Sequence, residues 1–358
     1  NFVRMVGDAR TQAELVGEAF LGARLGCANC HDHPLDRWTQ DDYHGLAAVF
    51  AKLERGREVK WTSRGAVTNL RTQEPAVPRI PGVRDLNHVR DSRYPLAEWL
   101  GGEGRRPLAK AYVNRLWRAM FGRGLIEPVD DLRQTNPASH PELLEQLTDA
   151  CLAHDLRLRP MLRLLTTSDA YARAAAGPDE PAYRTTSLAA SARRPLEPEV
   201  LADAIADVTD VADEFERQPD IRRAVHLLDP LSPAPSLDLL GRCSRAAGCD
   251  SRSAADRGLA TQLHLLNGDI INAKLAHPDG RLARLLADQS KPAERREARD
   301  DEVTIREWFV RAWTRMPSEA ELQYWSKALD HADPDERRRR YEDFVWSLLN
   351  SRDFRENR

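Results

Sequence analysis

The chain has 358 residues, of which 41% are hydrophobic and 30% charged, a composition typical of a folded protein rather than a disordered one. Its formal net charge of −3 is close to neutral for this length and gives no reason to expect nucleic acid or an anionic membrane surface as a partner. No apolar run approaches the roughly 20 residues of a membrane-spanning helix, so we expect no membrane span. The length exceeds that of one ordinary hydrophobic core, which predicts two or three packing units.

Two helices are predicted near the start of the chain, one on each side of a short segment that contains two cysteines. Thr11, with Glu14 three residues later, has the form of a capping box. Apolar residues then recur at helical spacing, and Gly26 is the expected end of this helix. Thr39 with Asp42 predicts the start of the second helix, whose apolar face would help to enclose the segment between them.

That segment reads Cys-Ala-Asn-Cys-His at residues 27–31. A Cys-x-x-Cys-His run is the attachment signature of c-type haem, in which the thiols form thioethers with the porphyrin and the imidazole ligates the iron. We therefore expect Cys27 and Cys30 to hold one covalent haem c, with His31 as the proximal ligand. The sequence leaves the distal ligand open.

Two nearby histidines are further candidate metal ligands. His33 follows His31 too closely to reach the opposite face of a porphyrin, so we expect it to bond a haem propionate or a backbone carbonyl. His44 lies close to the apolar stripe of the second helix, which makes it either a sixth iron ligand or a partly exposed surface histidine. An alternative use of the same atoms is a tetrahedral zinc or non-haem iron site, formed by the two thiolates, His31 or His33, and one further donor.

The character of the chain changes between residues 58 and 82. Residues 58–62 and 66–70 flank a Gly-containing turn and predict a β-hairpin. Three prolines follow within a short distance, which indicates an irregular linker. We therefore predict a first domain over residues 1–82 and a second over 83–358.

The second domain is predicted to be helical almost throughout, interrupted by an irregular loop at about residues 218–256 that is rich in Pro, Ser and Gly. Cys243 and Cys249 in this loop are close enough in sequence to form a disulfide, or they remain two free thiols. Cys151 falls on the apolar stripe of a predicted helix and is expected to be a buried thiol. The fold class is thus mainly α, with a small helical unit and a short β-hairpin followed by a larger α-helical domain.

Several motifs resemble a known pair of domains. Residues 21–34, 36–43 and 45–48, which include the Cys-x-x-Cys-His run, resemble the planctomycete secreted cytochrome-c-like domain. The second half resembles the partner domain of unknown function that usually follows it, through Val113–Trp117, Phe121–Leu125, His140–Leu144, Arg194–Leu196 and Leu263–Gly268. This resemblance implies a cytochrome-like first unit in an exported protein of a bacterial cell envelope, periplasmic or at the cell surface. It also implies that the family's first domain begins before Asn1.

The function that we expect is that of an exported c-type haem protein, which transfers single electrons to a redox partner or another envelope protein. One alternative is a structural or interaction module of the envelope, in which the Cys-x-x-Cys-His-x-His loop binds zinc or iron. Another is a haem enzyme with an open distal site. An electron carrier or binding protein is favoured over a stand-alone enzyme, because no nucleophile with a base and an orienting acid is recognisable in the sequence.

Overall fold

A computed structural model describes residues 2–4, 6–56, 58–87, 89–177, 180–216, 218–228, 232–242, 259–289, 301–331 and 333–357. Helices dominate these residues, and short antiparallel strand pairs are the remaining regular structure. The mainly α fold with a short hairpin is thereby confirmed. The chain divides into two compact units, residues 1–192 and 193–358.

The first unit begins with two helices packed around the cysteine-containing turn. Its core contains Leu25, Tyr43 and Leu46, each with at most 1% of its surface exposed. In chain order the elements are α1 (Ala9–Val16), a π-helical turn (Gly17–Leu21), a 3₁₀ turn (Gly26–Asn29), α2 (Gln40–Val49), β1 (Leu53–Arg55), β2 (Val59–Trp61), β3 (Arg79–Ile80) and β4 (Arg84–Asp85).

The predicted cap of α1 is wrong, whereas that of α2 is confirmed. Asp8 caps α1 by accepting hydrogen bonds from two backbone amides of the first turn. The helical segment also ends earlier than expected, at the left-handed Gly22 rather than at Gly26. Thr39 and Asp42 form the predicted capping box at the start of α2. Asp8 is as good a cap as Thr11, and the capping-box pattern alone does not rank two caps three residues apart.

The hairpin forms with a different partner segment from the predicted one. β2 pairs with the preceding strand β1, in the register Leu53 opposite Trp61, and not with residues 66–70. The chain after β2 then folds back on the residues before β1. The amide of Thr62 donates to the carbonyl of Lys52 over 2.9 Å, and Gly65, at φ +126°, packs against the backbone of Ala51. A side chain at residue 65 would not fit there, so the glycine serves close packing rather than the hairpin turn.

A second core completes the first unit. It gathers the apolar faces of α4 and α5, with Trp117 stacked on Phe121 at a ring-centroid distance of 3.9 Å. The helices are α3 (Arg93–Gly101), α4 (Arg105–Phe121), α5 (Pro141–Ala153), α6 (Leu158–Thr166) and α7 (Tyr183–Thr186). Cys151 is fully buried in this core, as expected.

Direct contacts join the two halves of the first unit. The amide of Leu132 donates to the carbonyl of Gly22 over 2.8 Å, and the guanidinium of Arg24 bonds Asp130 over 2.8 Å. Gly22 also lies so close to the Leu132 side chain that a Cβ there would be 2.5 Å from Leu132 Cδ1. The compact unit consequently runs to Ala192, well past the predicted domain boundary at residues 82 and 83. A change in composition marks a linker, but it does not show that the helices beyond it pack back onto the first core.

The second unit is a helical assembly closed by its own terminal strands. β5 (Arg194–Pro195) pairs with β6 (Glu356–Asn357). Its core contains Phe309, Tyr341 and Phe344, all fully buried. The helices are α8 (Pro198–Thr209), α9 (Pro235–Leu239), α10 (Leu259–Asn267), α11 (Asp269–Ala276), α12 (Arg281–Gln289), α13 (Asp301–Trp313), α14 (Glu319–Leu329), α15 (Pro334–Asn350) and α16 (Arg352–Arg355).

Part of the predicted irregular loop at 218–256 contains regular structure, namely a 3₁₀ turn (Ala224–His226) and α9. Cys243 and Cys249 lie outside the described residues, so the disulfide between them stays a prediction.

A substitution at Gly45 tests the packing of α2 on β3. A Cβ at Gly45 would overlap Arg79 Cβ and lie 3.1 Å from the Val77 carbonyl oxygen. We expect Gly45→Ala to lower the free energy of unfolding by about 1–3 kcal/mol, the usual cost of overpacking, in urea titrations followed by circular dichroism. Gly101→Ala is the matched control, because a Cβ at this helical glycine meets no atom within 4 Å. It should be neutral or stabilising by up to about 1 kcal/mol, and an equal loss in both variants would contradict the packing argument.

Candidate functional site

The Cys-x-x-Cys-His run forms a turn whose two faces differ in exposure. Leu25 and Ala28 are fully buried, whereas Cys27 and Cys30 are exposed. Residues three apart lie on the same face of a 3₁₀ helix, so burying one apolar pair brings the two thiols to the opposite, solvent-facing side. The backbone amides of Cys30 and His31 both donate to the carbonyl of Cys27, over 3.3 and 3.4 Å, which closes the turn. The predicted thiol pair is therefore accessible and placed on one surface.

The imidazole of His31 is exposed and held in one tautomer. Its Nδ1 lies 2.7 Å from the carbonyl oxygen of Asp32. A carbonyl oxygen only accepts hydrogen bonds, so Nδ1 carries a proton, and in the neutral ring the lone pair is then on Nε2. A histidine that ligates a metal commonly donates its other ring N–H to a backbone carbonyl in this way. His31 thus presents Nε2 as a free donor atom next to the two thiols in sequence.

The turn is fastened to the first residues of α2. The carbonyl oxygen of Asn29, between the two cysteines, accepts hydrogen bonds from His44 Nε2 over 3.1 Å and from Gln40 Nε2 over 3.4 Å. The amide of Gln40 in turn donates to the carboxylate of Asp32 over 2.9 Å. The role of Gln40 could not be predicted, since no sequence motif distinguishes a glutamine that bonds a neighbouring turn from a solvated one.

His44 is not the partly exposed surface histidine that was one of its two expected roles, and the other role, as a sixth iron ligand, stays a prediction. It is fully buried rather than partly exposed, and its Nε2 is engaged by the Asn29 carbonyl. Burial lowers the pKa of His44, and the nearby positive charge of Arg10 lowers it further, which keeps the ring neutral. From the core of the unit, His44 thus holds the backbone of the turn in place through the Asn29 carbonyl. The helical pattern predicted that His44 lies near the apolar stripe of α2. It did not predict that His44 itself is buried.

His33 orders the loop between the turn and α2. Its backbone amide donates to the carbonyl of Trp38 over 2.8 Å, and its Nδ1 accepts the amide of Leu35 over 3.2 Å. The sequence predicted a bond to a propionate or to a carbonyl. The ring instead accepts from a backbone amide, because the turn after Pro34 brings that amide back toward the imidazole.

Asp42 connects α2 to the strands behind it. Its carboxylate accepts hydrogen bonds from the amide and hydroxyl of Thr39, from Arg79 Nε over 2.8 Å and from the amide of Gly82 over 2.8 Å. Burial by itself raises the pKa of Asp42, but these hydrogen bonds outweigh it, and the net pKa is lowered. The capping-box pattern predicted the Thr39 contact but not the partners from residues 79–82.

A further bond joins the two helices that flank the turn. The hydroxyl of Tyr43 donates to Glu14 Oε1 over 2.7 Å. Burial and this carboxylate together raise the pKa of Tyr43, so the phenol stays protonated. Glu14 was predicted to be the second member of a capping box. Its carboxylate instead binds the Tyr43 hydroxyl and so holds α2 against α1.

Among the described residues, no cluster of three or more His, Cys, Asp or Glu side chains is arranged to hold a metal ion. Nor does any described helix have the length and apolar character needed to cross a membrane.

Two family models match the chain in succession. The first is PSCyt2, a protein of unknown function (DUF1549), over residues 4–55, which include the whole of the Cys-x-x-Cys-His turn. The second is PSD1, a protein of unknown function (DUF1553), over residues 92–329, which is more than half of the chain. The chain belongs to the DUF1553 family. The order of the two matches is the order in which the sequence motifs place the two resembling domains. No curated protein and no solved structure gives a significant match.

The buried His44 makes the stability of this DUF1553 family member dependent on pH. Because its folded pKa is lowered, the unfolded chain binds more protons below about pH 6.5, and the free energy of unfolding falls as the pH falls. We expect His44→Gln to lose less stability than the wild type between pH 7 and pH 5 in urea titrations. His154→Gln, which removes an exposed histidine at the end of α5, should keep the wild-type dependence. Equal slopes for the wild type and His44→Gln would contradict the structural role of His44.

Proposed function

We propose that Cys27, Cys30 and His31 bind one haem c and that the protein transfers single electrons. The observation that supports this most directly is the hydrogen bond from His31 Nδ1 to the Asp32 carbonyl, which leaves Nε2 as the donor atom in the residue that follows two exposed thiols in sequence. Covalent attachment needs two thiols that a porphyrin can reach from outside, and ligation of the iron needs one imidazole with a free lone pair. When bound, the haem supplies a one-electron iron couple.

The contribution of the surrounding chain is to hold the three groups in place. Ala28 anchors the turn in the core, and the Asn29 carbonyl is fixed by His44 and Gln40. The carboxylate of Asp32 binds the backbone of α2, which also orients the carbonyl to which His31 donates. A rigid attachment turn suits electron transfer, because little of the protein then has to rearrange when the charge at the cofactor changes.

The same geometry favours haem over a tetrahedral zinc or iron site. A tetrahedral site requires a fourth ligand in addition to Cys27, Cys30 and His31. His33 is the nearest candidate in the sequence, and its Nδ1 is already engaged by the Leu35 amide. His44 is the next; its Nε2 is bound to the Asn29 carbonyl, and its remaining nitrogen, Nδ1, is buried, whereas the two thiols are exposed. Both histidines have ordering roles within the protein.

The site of action and the partner follow from the resemblance of the sequence motifs to the planctomycete secreted domains. We infer that the protein is exported to the periplasm or cell surface, where c-type haem is attached. A redox protein or another protein of the envelope is the partner that an electron carrier requires. The second compact unit supplies a separate, independently packed surface on which such a partner can dock.

Haem staining tests the attachment site. The full chain is produced with a c-type maturation system and run on a denaturing gel, and the pyridine haemochrome spectrum gives the number of haems per chain. We expect one haem in the wild type, and at least a tenfold loss of staining in a Cys27→Ala/Cys30→Ala double variant, because both thioethers are removed. Cys151→Ala is the control, since this thiol is buried in another core and its variant should stain like the wild type.

Three other results would contradict the proposal or favour one of its alternatives. Colourless protein that contains stoichiometric zinc would overturn it in favour of a metal-stapled envelope module. Wild-type staining in the double variant would show that another site holds the cofactor. If haem is attached, carbon monoxide binding to the native ferrous protein would favour an enzyme with an open distal site over a carrier.

A further inference from the structure

A cleft of about 620 Å³ lies in the first unit beside the loop that follows the haem turn. Its volume is within the roughly 300–1,000 Å³ typical of small-molecule sites. The cleft is lined by the loop residues 34–38, by residues 132–135 and by the first turns of α4, and Thr135 Oγ1 donates to the Leu35 carbonyl over 3.1 Å. Leu21, Leu35 and Leu132 supply apolar surface. The cleft can therefore accommodate the apolar body of a ligand.

Two of the side chains that line this cleft have buried hydrogen-bond donors with no acceptor. They are the indole Nε1 of Trp38, a residue only 6% exposed, and the guanidinium Nε of Arg133. Arg133 does have an acidic neighbour, Asp131, 3.5 Å from its Nη2, but that contact leaves Nε unsatisfied. A buried N–H without a partner costs free energy comparable to a lost hydrogen bond. Two such donors among the residues that line one cleft indicate that a ligand supplies the acceptor.

The charge of the cleft favours an anionic acceptor. Arg106 pairs with Glu145 and Asp149, at 2.5 and 2.6 Å, and Lys110 pairs with Glu145 at 2.6 Å, so these two cations are balanced by two carboxylates. Arg37, which also lines the cleft, lies over the Trp38 ring, 4.5 Å from its centroid. In total the lining has four cations and two carboxylates: Arg37, Arg106, Lys110 and Arg133, with Asp36 and Glu145.

We infer that this cleft binds a carboxylate attached to an apolar body, with the carboxylate accepting from Trp38 Nε1 and Arg133 Nε. A porphyrin with its propionates and a free aromatic or aliphatic acid share this chemistry. The inference goes beyond the proposed thioether attachment, because it concerns a non-covalent site formed by other residues. Charge-assisted hydrogen bonds of this kind each contribute roughly 1.5–3 kcal/mol, so losing one weakens binding by about tenfold or more.

The indole N–H of Trp38 is a direct reporter of such binding. In ¹⁵N-labelled full-length protein, its resonance is identified as the one that disappears in Trp38→Phe. The probes are 2-naphthoate, its neutral isostere 2-naphthamide, and mesoporphyrin IX, whose lack of vinyl groups prevents thioether formation. We expect a saturable downfield shift with 2-naphthoate or mesoporphyrin IX, because the N–H gains an anionic acceptor. Trp61, identified through Trp61→Phe, does not line the cleft, and its resonance should not move.

Substitution of Arg133 tests the second donor without altering the reporter. Arg133→Gln should weaken binding of the responding probe at least tenfold, whereas Arg163→Gln, which removes an exposed arginine of α6, should leave it unchanged. Saturation by 2-naphthoate identifies free organic acids as ligands, and saturation by mesoporphyrin IX alone identifies a porphyrin. The absence of a shift with both probes, an equal response to 2-naphthamide, or unchanged affinity in Arg133→Gln would overturn the inference. Haem staining depends on Cys27 and Cys30 instead, so the two proposals can fail separately.

Discussion

The three-residue period of the turn at Gly26–Asn29 is the constraint on which the candidate site depends. It places Leu25 and Ala28 in the core and thereby brings Cys27 and Cys30 to one exposed surface. In an α-helix, residues three apart are related by a rotation of about 300° rather than a full turn. The buried pair, Leu25 and Ala28, and the exposed pair, Cys27 and Cys30, would then each be less closely aligned on one face. The spacing of the motif and the burial of the residues between and before the cysteines are thus two aspects of one conformation.

The carbonyl of Asn29 extends this constraint to the rest of the first core. It is bonded by a histidine that is itself buried and neutral, and His44 sits on a helix whose first turn is held by Asp42. Asp42 reaches Arg79 and Gly82, and close packing at Gly45 brings the same strand against the helix. Residues 79–82 are therefore connected to the turn through one helix. The site is built on regular elements rather than on a free loop, which favours a fixed geometry.

What could be predicted from the sequence is what depends on local pattern. The Thr39 and Asp42 capping box, the helical fold class and the buried Cys151 all follow from spacing within a few residues, and the structure agrees with each. The strand partner of β2, the burial of His44 and the extent of the first unit depend on contacts between distant segments. A single sequence contains no signal that pairs Thr62 with Lys52, or Leu132 with Gly22. The function of Cys27, Cys30 and His31 was proposed from the motif, and the structure adds the hydrogen bond from His31 Nδ1 to the Asp32 carbonyl.

The boundaries of the two family matches do not coincide with the boundary between the two compact units. As a result, the cleft is lined by residues from both matches. The PSCyt2 match ends at residue 55 and the PSD1 match begins at residue 92, yet the first compact unit contains all of the former and the first hundred residues of the latter. Trp38 comes from the first match and Arg133 from the second, and both line the same cleft. The contacts of Gly22 with Leu132 and of Arg24 with Asp130 fix these two segments against each other. The cleft therefore exists only because the two family segments fold as one unit, so whatever binds there depends on residues from both.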